Sequence, residues 1–263
     1  MSAFNYCSVL RYPISYGGQE AEIGTIDELM VALDVLNRKH DREILQQLAG
    51  VLEGIIAVGN RPAPVNLKIL LKALSAEDRL YVIEQIGDRL QTLIGTAVEL
   101  RNLLVSLTHL EVEAAVLNAI GGQGLRQMVA TSQQMWEILE WLYGENGDLL
   151  LKLLGRGHLR RLITRGHELA EILRRIDPLR QVPTIEIVGW DYTLELLRNE
   201  VDLREILSSL YTQASATLIE RLPREQIVAL AGSEYGWYEL GRRLSPSKAI
   251  LLSQKLKGDS NAS

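Results

Sequence analysis

The sequence predicts an all-α fold of stacked helical hairpins, an irregular α-solenoid or multi-helix bundle, with an extended arm at the N-terminus. Two observations predict the helices. Helix-start signals recur from Thr25 onward, and a leucine-rich segment recurs with a period of about 34 residues. A third observation separates the arm, since residues 1–24 lack both features and are rich in β-forming aromatic residues.

The arm, residues 1–24, holds aromatic side chains that include Phe4 and Tyr6, and it is interrupted at Pro13 and at Gly17-Gly18. Such a segment is typical of extended backbone. Two interpretations stay open: the arm packs on its own domain, or it docks on a neighbouring subunit. Under the second, Phe4 and Tyr6 are candidates for contact with another protein.

Several helix starts are marked by a hydroxyl residue three positions before a carboxylate, the spacing in which both side chains cap the first turn. The pairs are Thr25 with Glu28, Ser75 with Asp78, and Thr108 with Glu111. Ser245-Pro246 marks another start, because proline is favoured in a first turn that needs no N–H. The signals and stops predict helices near 26–38, 41–58, 65–74, 76–86, 88–107, 109–120, 124–143, 148–154, 157–176, 184–199, 203–222, 224–231, 234–244 and 246–257.

An internal repeat lies between residues 89 and 176. Segments that begin at Arg89, Gly124 and His158 align without a gap, and each follows a short helix and a glycine-containing turn. A short helix, a turn and a longer helix form a hairpin that buries its apolar stripe only by stacking on its neighbours. The alternative is that leucines at helical spacing align with one another in any set of amphipathic helices.

These patterns divide the chain into five predicted segments. They are the arm (1–24), an N-terminal helical hairpin (25–62), the repeated hairpins (63–180), C-terminal helices (181–257) and a disordered tail (258–263).

Trp136 and Trp141 stand at positions where the aligned segments carry mostly polar residues, and Tyr143 follows closely. Tryptophan and tyrosine are enriched among the residues that anchor protein interfaces. The sequence therefore predicts an exposed aromatic patch, with cover by an adjacent helix of the same chain as the alternative.

A basic stretch lies between Lys152 and Arg180. It contains eight lysines and arginines and three acidic residues, in a chain of net charge −5. Its candidate contacts for an anionic partner are Arg156, Arg160, Arg161, Arg165, Arg174 and Arg175. Three interpretations remain: a solvated helix face, a site for an acidic protein, or a site for nucleic acid.

Chemical motifs are weak throughout. The chain has one cysteine, Cys7, four scattered histidines, no HExxH pair and no phosphate-binding loop. No stretch has the roughly 18 uninterrupted apolar residues of a membrane span. We therefore expect no cofactor, no metal, no membrane association and a cytoplasmic location.

The function expected from these features is a non-catalytic scaffold or structural subunit. We expect it to assemble with other proteins, including copies of itself, within a multi-subunit complex. The alternatives are a nucleic-acid-associated subunit that uses the basic helix, and an enzyme whose site forms only in the fold.

Overall fold

The computed structural model of the chain describes residues 10–16, 18–35, 40–59, 61–232 and 234–257. The all-α prediction with stacked helices is confirmed, because most of the described residues are helical and the sheet among them has two strands. The chain forms two compact units, Met1–Met128 and Val129–Ser263. The segment boundaries predicted at 62 and 180 remain predictions, and the predicted tail (258–263) lies outside the described residues.

The first unit begins with a hairpin and continues with helices. Its elements are β1 (Tyr12–Tyr16), β2 (Gln19–Ile23), α1 (Ile26–Val35), α2 (Asp41–Leu48), α3 (Leu52–Ala57), α4 (Ala63–Ala73), α5 (Ala76–Ile86), α6 (Leu90–Leu93), α7 (Ala97–Leu104) and α8 (Leu110–Met128). A 3₁₀ turn, Gly87–Arg89, precedes α6. Helix α8 is kinked at Gly121. The residues before and after the kink form two separate helices, the second and third of the three-helix repeat described below.

In its described residues, the second unit consists of helices joined by loops and turns. Its elements are α9 (Ser132–Leu139), α10 (Asn146–Leu154), α11 (Arg156–Leu162), α12 (Gly166–Arg175), α13 (Gln181–Val188), α14 (Trp190–Glu195), α15 (Glu200–Ser209), α16 (Thr212–Arg221), α17 (Arg224–Ala231), α18 (Glu234–Arg243) and α19 (Pro246–Lys257). A 3₁₀ turn, Pro178–Arg180, precedes α13.

The repeat contains three short helices, one more than a hairpin. The long helices predicted at 88–107, 124–143 and 157–176 are wrong, because each is broken near its middle. At the breaks, Thr96, Thr131 and Arg165 have nearly identical extended backbones, with φ of −135°, −134° and −138°. Each break ends the third helix of one repeat and begins the first helix of the next.

Side chains three residues into the first helix stabilise each break. The carboxylate of Glu99 accepts a hydrogen bond from the N–H of Gly95 at 3.0 Å, and the amide oxygen of Gln134 accepts one from Ala130 at 2.8 Å. Glu168 does the same for Thr164 at 2.6 Å. These side chains satisfy backbone N–H groups that the break would leave without a partner.

Two of the three predicted capping pairs are confirmed. The Thr25 hydroxyl accepts from the N–H of Glu28, and the Ser75 hydroxyl accepts from the N–H of Asp78. The third start is one residue later than the Thr108 pairing predicts, since the N–H of Glu113 bonds to the carbonyl of His109.

Glycines mark the junction between the second and third helices at an interval of 34 residues. Gly87, Gly121, Gly155 and Gly189 have φ of 57°, 67°, 77° and 108°. L-residues with a side chain rarely adopt this backbone region, so glycine suits the turn. Gly189 extends the repeat into 181–257, a segment that the sequence analysis set apart.

Equivalent helices stack within each unit. In the second unit, the first helices α9, α12, α15 and α18 pack in that order, and so do the second helices α10, α13, α16 and α19. In the first unit α1, α4 and α7 stack in the same way. The core is aliphatic: the aligned positions Leu100, Met135 and Leu169 are all 0% exposed.

The third helices of the second unit are joined by side chains that recur every 34 residues. The ring nitrogen Nε2 of His158 lies 2.8 Å from the carbonyl oxygen of Val129. The hydroxyl of Tyr192 lies 2.7 Å from the carbonyl oxygen of Ile163, and Gln226 donates to Leu194 at 3.3 Å. Tyr192 and Gln226 thus each satisfy a carbonyl at the end of the preceding third helix.

Residues 12–23 of the predicted arm form an antiparallel hairpin on their own unit. Strand β1 contacts α2, and the Gln47 side chain bonds to both the N–H and the carbonyl of Ser15, at 2.8 Å and 2.7 Å. Ile14 and Ile23 are buried. This part of the arm follows the first interpretation, whereas Phe4 and Tyr6 lie outside the described residues.

Candidate protein-interaction edge

The stacked first helices of the second unit place their C-terminal ends along one side. The loops that follow these helices therefore adjoin one another. We call them the loop edge: residues 140–145, 176–180, 210–211 and 244–245. Every loop of this set joins the first and second helices of one repeat.

Hydrogen bonds between successive loops hold the edge together. The guanidinium of Arg180 donates to Asp148 at 2.9 Å and to Glu145 at 3.0 Å, which ties the second loop to the first. The hydrogen bond that Arg180 donates to Glu145, followed by the charge of Asp148, raises the pKa of Arg180. The pair of carboxylates thus fixes the cation between two repeats.

Gln181 ties the second loop to the third. Its amide nitrogen donates to the carbonyls of Leu173 and Ser209 at 2.8 Å and 2.9 Å, and its oxygen accepts from the N–H of Tyr211 at 2.7 Å. Gln181 is 0% exposed. Because a buried amide is costly without partners, these three bonds fix the positions of both loops.

Lys248 ties the fourth loop to the third. Its ammonium donates to the carbonyls of Leu207 and Leu210, at the C-terminal end of α15. Burial lowers the pKa of Lys248. A cation at a helix C-terminus is favourable, since the unpaired carbonyls there carry partial negative charge.

Large apolar side chains are exposed on this edge. Trp141 is 42% exposed, Tyr143 58%, Leu179 85% and Tyr211 61%. Trp141 and Tyr143, which the sequence analysis assigned to an exposed patch, are thus exposed, as are Leu179 and Tyr211 in the loops of the next two repeats. Sequence reasoning missed Leu179 and Tyr211. The stop at Asp177-Pro178 placed Leu179 between two predicted helices, which was a signal of exposure, whereas the predicted helix 203–222 ran through Tyr211.

Trp136, the other tryptophan of the predicted patch, is half-buried. The guanidinium of Arg175 lies 4.0 Å from the centre of its ring. Glu171 accepts hydrogen bonds from Arg174 and Arg175, and its pKa is lowered by the bond from Arg175 and by the charges of both. Trp136 is thus covered in part by a side chain of the next repeat.

The predicted anion-binding residues bind largely to their own chain. Arg156 donates to the carbonyls of Glu186 and Ile187 at 3.1 Å and 3.3 Å, at the C-terminal end of α13. Arg160 donates to Asp191 at 2.8 Å, and this bond lowers the pKa of Asp191. These two arginines cap the neighbouring repeat.

The remaining members of the basic set differ in exposure. Arg161 and Arg165 are exposed, and Arg161 lies 3.2 Å from Nδ1 of His158. Arg165 is the N-cap residue that immediately precedes α12. The structure does not gather the predicted residues on one face, since Arg156 and Arg160 lie against α13 and α14 while Arg175 lies on α9.

Neither a metal site nor a membrane span emerges from the described part of the chain. It contains no group of three or more His, Cys, Asp or Glu side chains arranged to hold a metal ion. Its helices are all too short or too polar to cross a bilayer.

Comparisons with known proteins found no match to a protein-family model, to a curated protein or to a solved structure.

Proposed function

We propose that the protein is a non-catalytic helical-repeat scaffold that binds other proteins through the loop edge. The observation that carries the proposal is the row of exposed apolar side chains in successive repeats: Trp141, Tyr143, Leu179 and Tyr211. Large apolar side chains exposed along one edge of a protein are typical of protein-interaction sites.

The energetics favour binding at this row. Leu179, at 85% exposure, contributes little apolar burial within its own chain. Transfer of a leucine or aromatic side chain from water into an interface is worth about 1.5–3 kcal/mol when burial is complete. Trp and Tyr are the residue types most enriched among the dominant contacts of interfaces.

The rigidity of the edge also favours binding. Arg180, Gln181 and Lys248 bond adjacent loops to one another, so the row is already ordered before a partner arrives. A surface that is ordered in advance loses less conformational entropy when it binds.

The test is affinity capture of the full chain from its source cells, followed by quantitative mass spectrometry. The variant carries Leu179→Ser and Tyr211→Ser, and the matched control carries Val228→Ser and Ile250→Ser, which alter residues 50% and 56% exposed on α17 and α19. We expect the first variant to lose its bound proteins while the control keeps them.

Circular dichroism and thermal unfolding would establish that both variants fold. If the loop-edge variant captures the same proteins in the same amounts as the unmodified chain, the proposed function is wrong.

A further inference from the structure

The β1–β2 hairpin of the first unit has two outer edges, and the edge of β1 is occupied. The side-chain amide of Gln47, in α2, bonds to both the N–H and the carbonyl of Ser15, at 2.8 Å and 2.7 Å. Both backbone groups of Ser15 therefore point away from β2, and the amide takes the place of a neighbouring strand. Pro13, which has no N–H to offer, lies two residues earlier on the same edge.

The register of the hairpin fixes which backbone groups of β2 point outward. Ser15 lies opposite Glu20, and Pro13 lies opposite Glu22. In an antiparallel pair, two opposite residues direct their N–H and carbonyl groups either toward each other or away from each other. Because Ser15 directs its groups outward, Glu20 and Glu22 do the same on the other side of the sheet.

The outer edge of β2 is open at Glu20 and Glu22. Both residues are exposed, and among the described residues none bonds to their outward N–H and carbonyl groups. At the next outward position, the N–H of Gly24 donates to the carboxylate of Glu28 at 2.8 Å. The open edge, as we call Glu20–Glu22, thus offers two donors and two acceptors in an extended backbone.

The carboxylates of the open edge stand on the exposed face of the hairpin. Side chains alternate along a strand, so Ile14 and Ile23 are buried on one face while Glu20 and Glu22 are exposed on the other. A groove of about 520 Å³ is lined in part by Glu20, Glu22 and Ser15. A strand added beside β2 therefore has room for side chains next to these two carboxylates.

We propose that the open edge binds an extended segment of another protein in which two basic residues flank an apolar residue. The backbone of the segment pairs with Glu20 and Glu22, and its basic side chains lie beside their carboxylates. The apolar residue between them lies beside the half-buried Ala21, on the face of the hairpin that holds Ile14. Addition of a strand to an exposed sheet edge is a common mode of peptide recognition. This second site is independent of the loop edge.

Charge favours a basic segment over a second copy of this chain. Two copies joined antiparallel by this edge would set Glu20 of one against Glu22 of the other, and like charges directly across two strands are destabilising. Opposite charges in the same positions are stabilising. The nearby cation of Arg11 does not replace such a partner, because it donates to Glu28 at 2.6 Å.

The test uses a synthetic peptide, acetyl-Thr-Lys-Val-Lys-Thr-amide, and the full chain labelled with ¹⁵N. We expect the amide protons of Glu20 and Glu22 to exchange rapidly with solvent in the free chain and to shift when the peptide is added. The titration gives the dissociation constant. A peptide with glutamate in place of both lysines should bind about tenfold or more weakly, since it sets like charges across the strands.

Two methylated peptides separate strand pairing from simple charge attraction. An N-methyl group on the second lysine removes a donor that faces β2 and should weaken binding by about fivefold or more. An N-methyl group on the valine removes an N–H that faces away from β2 and should change the dissociation constant little. Both peptides keep the same charge.

A charge reversal on the protein tests the specificity. Glu20→Lys with Glu22→Lys should reverse the preference, so that the glutamate peptide binds more tightly than the lysine peptide. Glu84→Lys with Glu195→Lys is the matched control, because it makes the same change of net charge at two exposed helical residues. The control should keep the preference of the unmodified chain, and circular dichroism would establish that both variants fold.

Three outcomes overturn the inference. The first is slow exchange of the Glu20 and Glu22 amide protons in the free chain, which would mean that another segment already pairs with β2. Slow exchange that appears only at high protein concentration would identify that segment as a second copy. The second is a lysine peptide that leaves both amide resonances unshifted, and the third is equal binding of the two methylated peptides.

Discussion

The guanidinium of Arg175 in α12 lies 4.0 Å from the centre of the Trp136 ring in α9. The contact joins the first helices of two successive repeats. Arg175 also donates a hydrogen bond to the carboxylate of Glu171, one turn earlier in the same helix. Trp136 therefore contributes to the packing of the repeats, while Trp141, five residues later, faces solvent.

The stacked pair should contribute measurably to stability. We expect Arg175→Gln to lower the free energy of unfolding by about 0.5–2 kcal/mol, since it removes a partly buried cation from the face of an indole ring. Arg174→Gln is the matched control, because Arg174 binds the same carboxylate but is exposed. Urea unfolding of the two variants, with Trp136→Leu as the second arm of a double-mutant cycle, measures the coupling. A coupling near zero would contradict the stacking role.

Gly166 should resist replacement for reasons of space. A Cβ at this position would lie 2.9 Å from the Cβ of Asp202, in the neighbouring first helix α15. We expect Gly166→Ala to destabilise the protein by about 1–3 kcal/mol, as overpacking does in tightly packed cores. Gly157→Ala, in α11, meets nothing within 4 Å and should be neutral or stabilise by up to about 1 kcal/mol. Thermal unfolding distinguishes the two, and equal melting temperatures would show that α12 and α15 are less closely packed.

The ladder of third helices should depend on the Tyr192 hydroxyl. Tyr192→Phe leaves the carbonyls of Arg160 and Ile163 without this donor. We expect a loss of about 1–3 kcal/mol in the free energy of unfolding, the usual cost of an unsatisfied buried group. Tyr211→Phe, which alters a side chain 61% exposed, should change stability little. The prediction fails if chemical denaturation gives the same stability for both variants.

The capping carboxylate of Glu168 should make stability depend on acid pH. Partial burial acts to raise the pKa of Glu168, but hydrogen bonds from Thr164 and Arg165 outweigh it and hold that pKa below its usual value. The stability that the carboxylate contributes is therefore complete above about pH 4.5, the usual value in the unfolded chain, and is lost as the pH falls through the lowered folded value.

We expect Glu168→Gln to be less stable than the unmodified chain at pH 7 by about 0.5–1 kcal/mol, because a neutral acceptor bonds less strongly. The difference should shrink as the pH falls below about 4. Gln134 occupies the same position in α9, so Gln134→Glu should produce the opposite change. Unfolding measured across this pH range tests both substitutions, and a difference that is constant with pH would refute the capping role.

Much of the fold was readable in the sequence because its causes are local. Leucine spacing placed Leu100, Met135 and Leu169 on buried faces, and all three are 0% exposed. The breaks at Thr96 and Thr131 also carried a local signal, a threonine three residues before a glutamate or glutamine. Apolar residues nevertheless continue at helical spacing across each break, so in sequence two short helices resemble one long helix.

The candidate site was readable only in part. Trp141 was identified because the aligned segments carry mostly polar residues at its position, and Tyr143 because it lies close by. No such comparison was available for Leu179 and Tyr211, which lie outside the aligned segments. For the basic residues, too, the sequence predicted only part of what the structure shows. Their density predicted a charged surface, yet the partners of Arg156 and Arg160 lie about thirty residues away in sequence.

The sequence by itself determined that the chain is helical, that its helices repeat every 34 or 35 residues and that its core is aliphatic. These properties depend on hydrogen bonds and spacings within a single turn or helix. Only the tertiary structure decided that Arg175 covers Trp136, that Arg160 pairs with Asp191 and that Leu179 and Tyr211 lie along one exposed edge. Each of these depends on which repeat stacks on which, because the exposure of a side chain is set by neighbours that are distant along the chain.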